Sequence, residues 1–341
     1  MQQETSLNDR LLGESPEFLE VLDWVSKIAP LDKPVLVVGE RGTGKELIAA
    51  RIHYLSQRWD QEFIKLNCAA INDTLLETEL FGHEAGAFTG AQKRHSGRFE
   101  RAHGGTLFLD ELATTSSMVQ EKLLRVIEYG EYERVGGNKM MTADVRLIAA
   151  TNLDLPGLAM AGKFREDLLD RLAFDVITLP PLRARQEDIL LLAEHFGVRM
   201  ATELELDYFP GLTNSAVDTL LNHAWPGNVR ELKNAIERSL YRHEQPSRPI
   251  DEIILDPFGS PYRPKSPAMP GVPIETAQAS PDIEKIEPQF PVDFRQQVQD
   301  FEIKQIKAAL KQAQYNQKKA ADALGVTYHQ LRGYLKKYEL L

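Results

Sequence analysis

Short apolar, β-prone runs alternate with stretches of helical period through the first half of this chain. The runs cover residues 35–38, 63–66, 106–109, 145–150 and 176–179. A strand with no polar face must be covered on both sides, and strands separated by helices pair in parallel. These runs therefore predict a buried parallel sheet. From Glu187 onward the period is helical throughout, with helices expected over 188–202, 214–223 and 229–242. The body reads as an α/β core followed by a helical subdomain.

That pattern ends in a proline-rich stretch. Nine of the 19 prolines fall between Pro257 and Pro291. Proline fixes φ and lacks an N–H donor, so the stretch is expected to be an extended linker. Beyond it, residues 317–324 form a short helical pattern with Ala320, Ala321 and Leu324 on its apolar side; Gly325 breaks it, and a second helix is expected over 328–338. Two short helices around a tight glycine turn make a helix-turn-helix. The second helix offers Tyr328, His329, Gln330, Arg332, Lys336 and Lys337 to base edges and phosphates, with Lys318, Lys319 and Thr327 beside them. An upstream helix over 294–312 carries Phe294, Val298, Phe301, Ile306 and Leu310, a stripe that could pair two subunits.

Composition narrows the class. The 341 residues are 43% hydrophobic and 26% charged, ordinary for a soluble globular protein. The lone cysteine, Cys68, excludes an intrachain disulfide and reads as a small core residue. No apolar run approaches the roughly 18 residues that span a bilayer. The first ten residues carry no signal-peptide pattern, so membrane insertion is not expected and a cytoplasmic, reducing home fits. Net charge is −10, but residues 291–341 hold nine Lys/Arg against five Asp/Glu, a surplus of four, leaving −14 on the rest. Contact with nucleic acid is thus expected only at the C-terminal end.

The strand over 35–38 runs into Gly39, Glu40, Arg41, Gly42, Thr43, Gly44 and Lys45, and a helix is expected over 46–56. This is the strand–loop–helix setting of a Walker A loop. Glycines turn backbone N–H groups toward phosphate oxygens, the helix N-terminus adds positive potential, and Lys45 reaches the β- and γ-phosphates. Glu46 stands where most such loops place a magnesium-ligating Ser or Thr, so the metal must lean on other carboxylates or on water. The strand over 106–109 ends in Asp110 and Glu111, a Walker B pattern at the carboxyl edge of the sheet. Asp110 suits Mg²⁺, directly or through water, and Glu111 suits the water that attacks the γ-phosphate. ATP hydrolysis is the expected chemistry.

Between these motifs lies a segment with neither helical nor strand period. Gly86, Ala87, Phe88, Thr89, Gly90 and Ala91 follow Glu79-Leu80-Phe81-Gly82-His83-Glu84, with small residues around one aromatic. With it, residues 12–255 resemble the AAA+ domain of bacterial enhancer-binding proteins, the activators of sigma-54 RNA polymerase, and residues 292–341 resemble their Fis-type helix-turn-helix. The resemblance implies that the 86–91 loop touches sigma-54 through Phe88 and Thr89, supported by a second loop around Arg134-Val135-Gly136-Gly137-Asn138. It implies a switch role for Asn67, paired with Glu111, and a sensor role for Asn152 near the γ-phosphate. Arg165 and Arg171 would be arginine fingers offered to a neighbouring subunit, and Arg230, in Trp225-Pro226-Gly227-Asn228-Val229-Arg230, the lid's sensor. Fingers acting in trans imply a homo-oligomer, which in this family is a hexameric ring.

The expected domains are an α/β nucleotide-binding subdomain over 1–183, a helical lid over 184–256, a linker over 257–291 and a DNA-binding domain over 292–341. Because the ATPase pattern begins within about a dozen residues of Met1, no N-terminal sensor is expected. That layout resembles the branch of the family that serves the phage shock, or envelope-stress, response and is restrained by a separate inhibitory partner. Trp59 is a candidate for that docking surface, with core packing an equal alternative. The competing functions are a AAA+ protein-remodelling ATPase of another class, which would lack the 86–91 loop, and a DNA-binding repressor that only oligomerises.

Overall fold

The computed structural model describes residues 11–245, 247–260, 262, 263, 299, 302, 303, 305–310, 313 and 316–338. The first of two compact units, residues 1–263, holds helix α1 (Pro16–Ile28), strand β1 (Val35–Val38), α2 (Lys45–Tyr54), β2 (Phe63–Asn67), α3 (Asp73–Phe81), α4 (Arg98–Arg101) and β3 (Thr106–Asp110). There follow α5 (Ser117–Tyr129), the short strands β4 (Glu131–Glu133) and β5 (Met140–Thr142), β6 (Arg146–Thr151), α6 (Leu155–Met160), α7 (Glu166–Leu172) and β7 (Val176–Thr178). The five long-range strands make one sheet in the order β2-β3-β6-β1-β7, every pairing parallel.

Alternation along the strands separates two cores. Leu107, Leu109, Leu147 and Ala149 face a layer that includes Leu80, Phe81, Leu123 and Leu168 of α3, α5 and α7. Phe108, Ile148, Val35 and Val37 face α1 and α2 through Phe18, Val25, Ile48 and Ile52. The expectation of an α/β parallel sheet holds, and the reason is visible: every residue of β6 is buried, as a central strand covered on both faces requires. Val145 lies just outside β6, whose pairing begins at Arg146 opposite Thr106. Helix α2 starts at Lys45 and stops at Tyr54, two residues short of the expected end.

The lid comprises α8 (Glu187–Glu203), α9 (Asn214–Asn222) and α10 (Asn228–Tyr241) around a third core built on Leu192, Phe196, Leu220, Trp225, Leu232 and Ile236. Trp225 is fully buried, and its indole Nε1 donates to Leu220 O at 2.8 Å.

The second unit, residues 264–341, contains α11 (Gln317–Ala323) and α12 (Tyr328–Lys337), joined through Gly325 in a left-handed conformation. Its core is Ile306, Leu310, Ala320, Ala321, Leu331 and Leu335. Thr327 caps α12 in a reciprocal capping box with Gln330. The proline-rich stretch from 264 to 291, and Phe294, Val298 and Phe301 of the expected upstream helix, lie outside the described residues. Among the described residues no helix is long and apolar enough to cross a membrane.

Candidate active site

Three adjacent strands, β3, β6 and β1, bring their carboxyl ends to one edge of the sheet, and the chemistry collects there. Beyond β1, Gly42 and Gly44 take φ of +79° and +98°, the left-handed region that favours glycine. Space beside Gly44 is open, whereas a Cβ on Gly42 would meet Gly227 O at 2.3 Å. Thr43 Oγ1 donates to Glu40 O at 2.9 Å and ties the loop on itself. Lys45 Nζ donates to Gly39 O (2.9 Å) and Glu40 O (3.1 Å) and lies across the loop mouth. Burial holds the Lys45 ammonium below its ordinary pKa, opposed only in part by the nearby carboxylates of Asp110 and Glu111.

At the end of β3, Asp110 Oδ1 accepts from Glu111 N at 2.9 Å, and Glu111 takes φ of +54°. A non-glycine residue there is uncommon, and the bend turns the second carboxylate off the strand line. With its amide oriented to its neighbours, Asn152 donates to Glu111 Oε2 at 2.6 Å and accepts from Arg41 Nε at 3.1 Å. Arg41 Nε is also 3.9 Å from Glu111 Oε1. The expected pairing of Asn67 with Glu111 is not the one formed. Asn67 Nδ2 reaches Asp110 Oδ2 at 3.5 Å, and its Oδ1 accepts from Ala69 N at 2.9 Å, because the register sets Asn67 opposite Asp110.

Glu46 is ion-paired with Lys65 at 2.9 Å. Among the described residues no group of three or more His, Cys, Asp or Glu is arranged to hold a metal. The Asp110 carboxylate beside the phosphate loop fits Mg²⁺ all the same, since Mg²⁺ is usually held by one or two carboxylates plus substrate phosphates. A cleft of about 1000 Å³ opens over the loop, lined by the charged Lys45, Asp110, Glu111 and Arg230 and by the apolar Leu12 and Phe18. It suits a nucleotide with an anionic end and an apolar base.

The Glu40 side chain, expected at the nucleotide, contacts the lid instead. Arg183 Nη2 and Nη1 donate to its two oxygens at 2.6 and 2.9 Å, and Asn228 Nδ2 donates at 3.0 Å. These bonds hold the Glu40 carboxyl down at about 2. The contacts of Arg183 and Asn228 with Glu40 have no signal in the sequence, because partners 143 and 188 residues apart leave no local pattern.

The 86–91 loop closes on itself through Gly86 N to Ala91 O (2.7 Å) and Ala91 N to Phe88 O (3.0 Å), with Gly86 and Gly90 left-handed. Phe88 is 41% exposed and rests edge-on against His83 with ring centroids 5.0 Å apart. Beneath, buried Arg134 is paired with Glu84 at 2.8 Å and Glu100 at 2.7 Å, and Glu84 N donates to Val135 O at 3.1 Å. The 134–138 loop thus lies against the base of the first loop. A Cβ on Gly136 would meet the Ala87 Cβ at 2.6 Å.

Arg165 precedes α7 and pairs with Asp167 (2.6 Å), while Arg171 within α7 pairs with Glu128 (2.8 Å); neither lines the cleft of its own subunit. Trp59 is 62% exposed, so of the two alternatives it takes the exposed one; Tyr54 and Leu55, at the end of α2, are exposed as well. In the second unit Lys318, Lys319, Thr327, His329, Gln330, Arg332 and Lys336 are exposed and Tyr328 is half-buried. The Gln330 amide accepts from Thr327 N at 2.8 Å, so its side chain serves the helix cap.

Comparison with known proteins places these parts. A family model described as Sigma-54 interaction domain matches residues 11–178, AAA+ ATPase lid domain matches 183–256, and Bacterial regulatory protein, Fis family, matches 297–338. The Psp operon transcriptional activator of Escherichia coli K12 is 58% identical over 332 residues, 97% of this chain and 98% of the relative. The Nif-specific regulatory protein of Azotobacter vinelandii is 44% identical over 94% of this chain and 57% of its own. The crystal structure of NtrX from Brucella abortus in complex with ATP is similar at a TM-score of 0.67 and 31% identity, covering 97% of this chain and 70% of that one.

Proposed function

Since this chain belongs to the sigma-54-dependent transcriptional activators with a AAA+ ATPase domain, we propose that it spends ATP hydrolysis on converting the closed complex of sigma-54 polymerase to the open one. The observation that carries this reading is the 86–91 loop. Its half-exposed Phe88 stands on a base braced by Arg134, in the same subdomain as the hydrolytic carboxylates. In a template assay with sigma-54 polymerase, open complexes should form with ATP and fail with a non-hydrolysable analogue. Open complexes formed equally with the analogue would sink the reading.

In the mechanism, the N–H groups at the start of α2 and the Lys45 ammonium bind the phosphate chain. Asp110 would hold Mg²⁺, directly or through water, and the ion would supply charge neutralisation to the phosphate oxygens. Glu111 accepts a proton from the attacking water and aims it at the γ-phosphorus, with Asn152 fixing the carboxylate by the 2.6 Å bond. Asn67 exchanges its long contact with Asp110 for Glu111 as the nucleotide state changes and so reports that state toward the loop. Arg230 meets the nucleotide from the lid. Arg165 and Arg171 stabilise charge on the phosphoryl group bound by a neighbouring subunit, which makes a closed homo-oligomeric ring, hexameric in this reading, the active form.

The helix-turn-helix carries the activator to double-stranded enhancer DNA, with Lys318, Lys319, Arg332 and Lys336 on phosphates or base edges. The 58% identity supports the operon named for the relative, Psp, as the target and the cytoplasm as the place of action. An inhibitory partner protein docks on the exposed patch of Tyr54, Leu55 and Trp59. Trp59→Ala should then keep ATPase activity and escape the partner's inhibition; unchanged inhibition of a folded variant removes this surface from the account.

A further inference from the structure

The turn that leads into α10 lies directly on the phosphate-binding loop. Val229 N donates to Gly42 O at 3.1 Å, and no side chain fits at Gly42 because Gly227 O occupies the place of its Cβ. Asn228, the first residue of α10, is fully buried at a φ of +52°, a conformation that asparagine tolerates better than most side chains. Its amide is used on every side. Oδ1 accepts from Leu182 N at 2.8 Å, and Nδ2 donates to Arg41 O and to Glu40 Oε2, both at 3.0 Å. Glu40 in turn takes the two-pronged ion pair from Arg183. Two residues beyond Asn228, in the same first turn, Arg230 lines the cleft.

We propose that Asn228, with Glu40 and Arg183, is a positioning residue that clamps the lid to the phosphate-binding loop and sets where Arg230 meets the nucleotide. The Arg41 carbonyl and the Glu40 carboxylate are bonded directly to the Asn228 amide, so a shift of either on phosphate binding is passed to Asn228 and to the first turn of α10. Conversely, lid movement is felt at the phosphates. This rests on the reading of Arg230 as the nucleotide-sensing arginine. Its size follows from geometry, since a misplacement of about 1 Å remote from the reacting atoms can cost on the order of 100-fold in rate.

The test is ATP turnover by the full chain. Asn228→Asp keeps the shape, the tolerance of positive φ and the acceptor for Leu182 N, but sets a carboxylate against Glu40. It should lower kcat about tenfold with a smaller change in KM. Adding Glu40→Gln supplies a donor from the opposite side and should restore at least about threefold of the lost rate. In an Arg230→Ala background, Asn228→Asp should change kcat by less than about twofold, because its effect runs through that arginine. Equal losses in both backgrounds, or no recovery with Glu40→Gln, overturn the clamp while leaving Arg230 as the sensor. If Arg230→Ala itself leaves turnover intact, the sensor reading fails and the clamp fails with it. Should Asn228→Asp not fold, Arg183→Ala, whose side chain is 48% exposed, is the variant to measure. It should lower kcat severalfold in the parent and not in the Arg230→Ala background, and equal effects overturn the proposal.

Discussion

Cys68 shows how the local field at the nucleotide site reaches a residue with no chemical part in it. It is 3% exposed, and burial, followed by the charges of Asp110 and Glu111, pushes its thiol up to about 12. Only the thiolate reacts, so Cys68 should stay unmodified by a thiol-alkylating reagent at pH 8 in the folded protein and react once urea unfolds it; mass spectrometry reads both. Glu40 is the opposite case. Its ordinary value is 4.5 and its folded value about 2. The stability it contributes is therefore full above pH 4.5, declines as the pH falls through that window and is gone below about 2. The gap in melting temperature between the parent and Glu40→Gln should be constant above pH 5 and shrink steadily from pH 4.5 to 2.5. The pair is largely exposed, so that gap will be small. A gap that widens toward low pH contradicts the assignment.

Among elements, the strand–loop–helix at Lys45 and the strand ending at Asp110 were legible in the sequence because each is a local run whose pattern needs no distant partner. The parallel sheet followed from strands apolar on both faces, and β6 repays that reading with six buried residues. What was not legible is what the chain closes over long separations. The Glu40 carboxylate joins the lid across 143 and 188 residues, and Asn67 faces Asp110 because strand register, not spacing along the chain, decides it. Nothing in a period of two or 3.6 reports either. Lid integrity in turn hangs on Trp225, fully buried with its indole bonded and its φ at +50°. Trp225→Ala should cost about 3–5 kcal/mol, measured by denaturant unfolding of the full chain. The brace under the signature loop makes a separate prediction. Arg134→Ala leaves Glu84 and Glu100 without their shared cation, and it should uncouple ATP turnover from polymerase remodelling, with turnover falling less than about threefold.

At the scale of the whole molecule, Arg165 and Arg171 are absent from the residues that line the cleft and pair with Asp167 and Glu128. If they act as fingers on a neighbouring subunit, as proposed, a lone subunit lacks part of its site. Mixing Arg171→Ala subunits with Glu111→Ala subunits, each inactive alone, should recover part of the ATPase rate. In such a ring an intact Glu111 can stand beside an intact Arg171. No recovery at any mixing ratio would place the arginine in cis or outside the reaction.

If the 86–91 loop passes hydrolysis on to sigma-54, as proposed, then changing Thr89 should separate the two functions. Thr89 lies at the tip, remote from Lys45 and Glu111 in sequence and outside the residues that line the cleft. In a single preparation of Thr89→Ala, ATP hydrolysis and open-complex formation by sigma-54 polymerase should be measured together. With that role for Thr89, ATPase activity should stay within about twofold of the parent and open complexes should fall at least about 100-fold, as loss of a contact made only during remodelling requires. Parental levels of open complex from the Thr89 variant would contradict it.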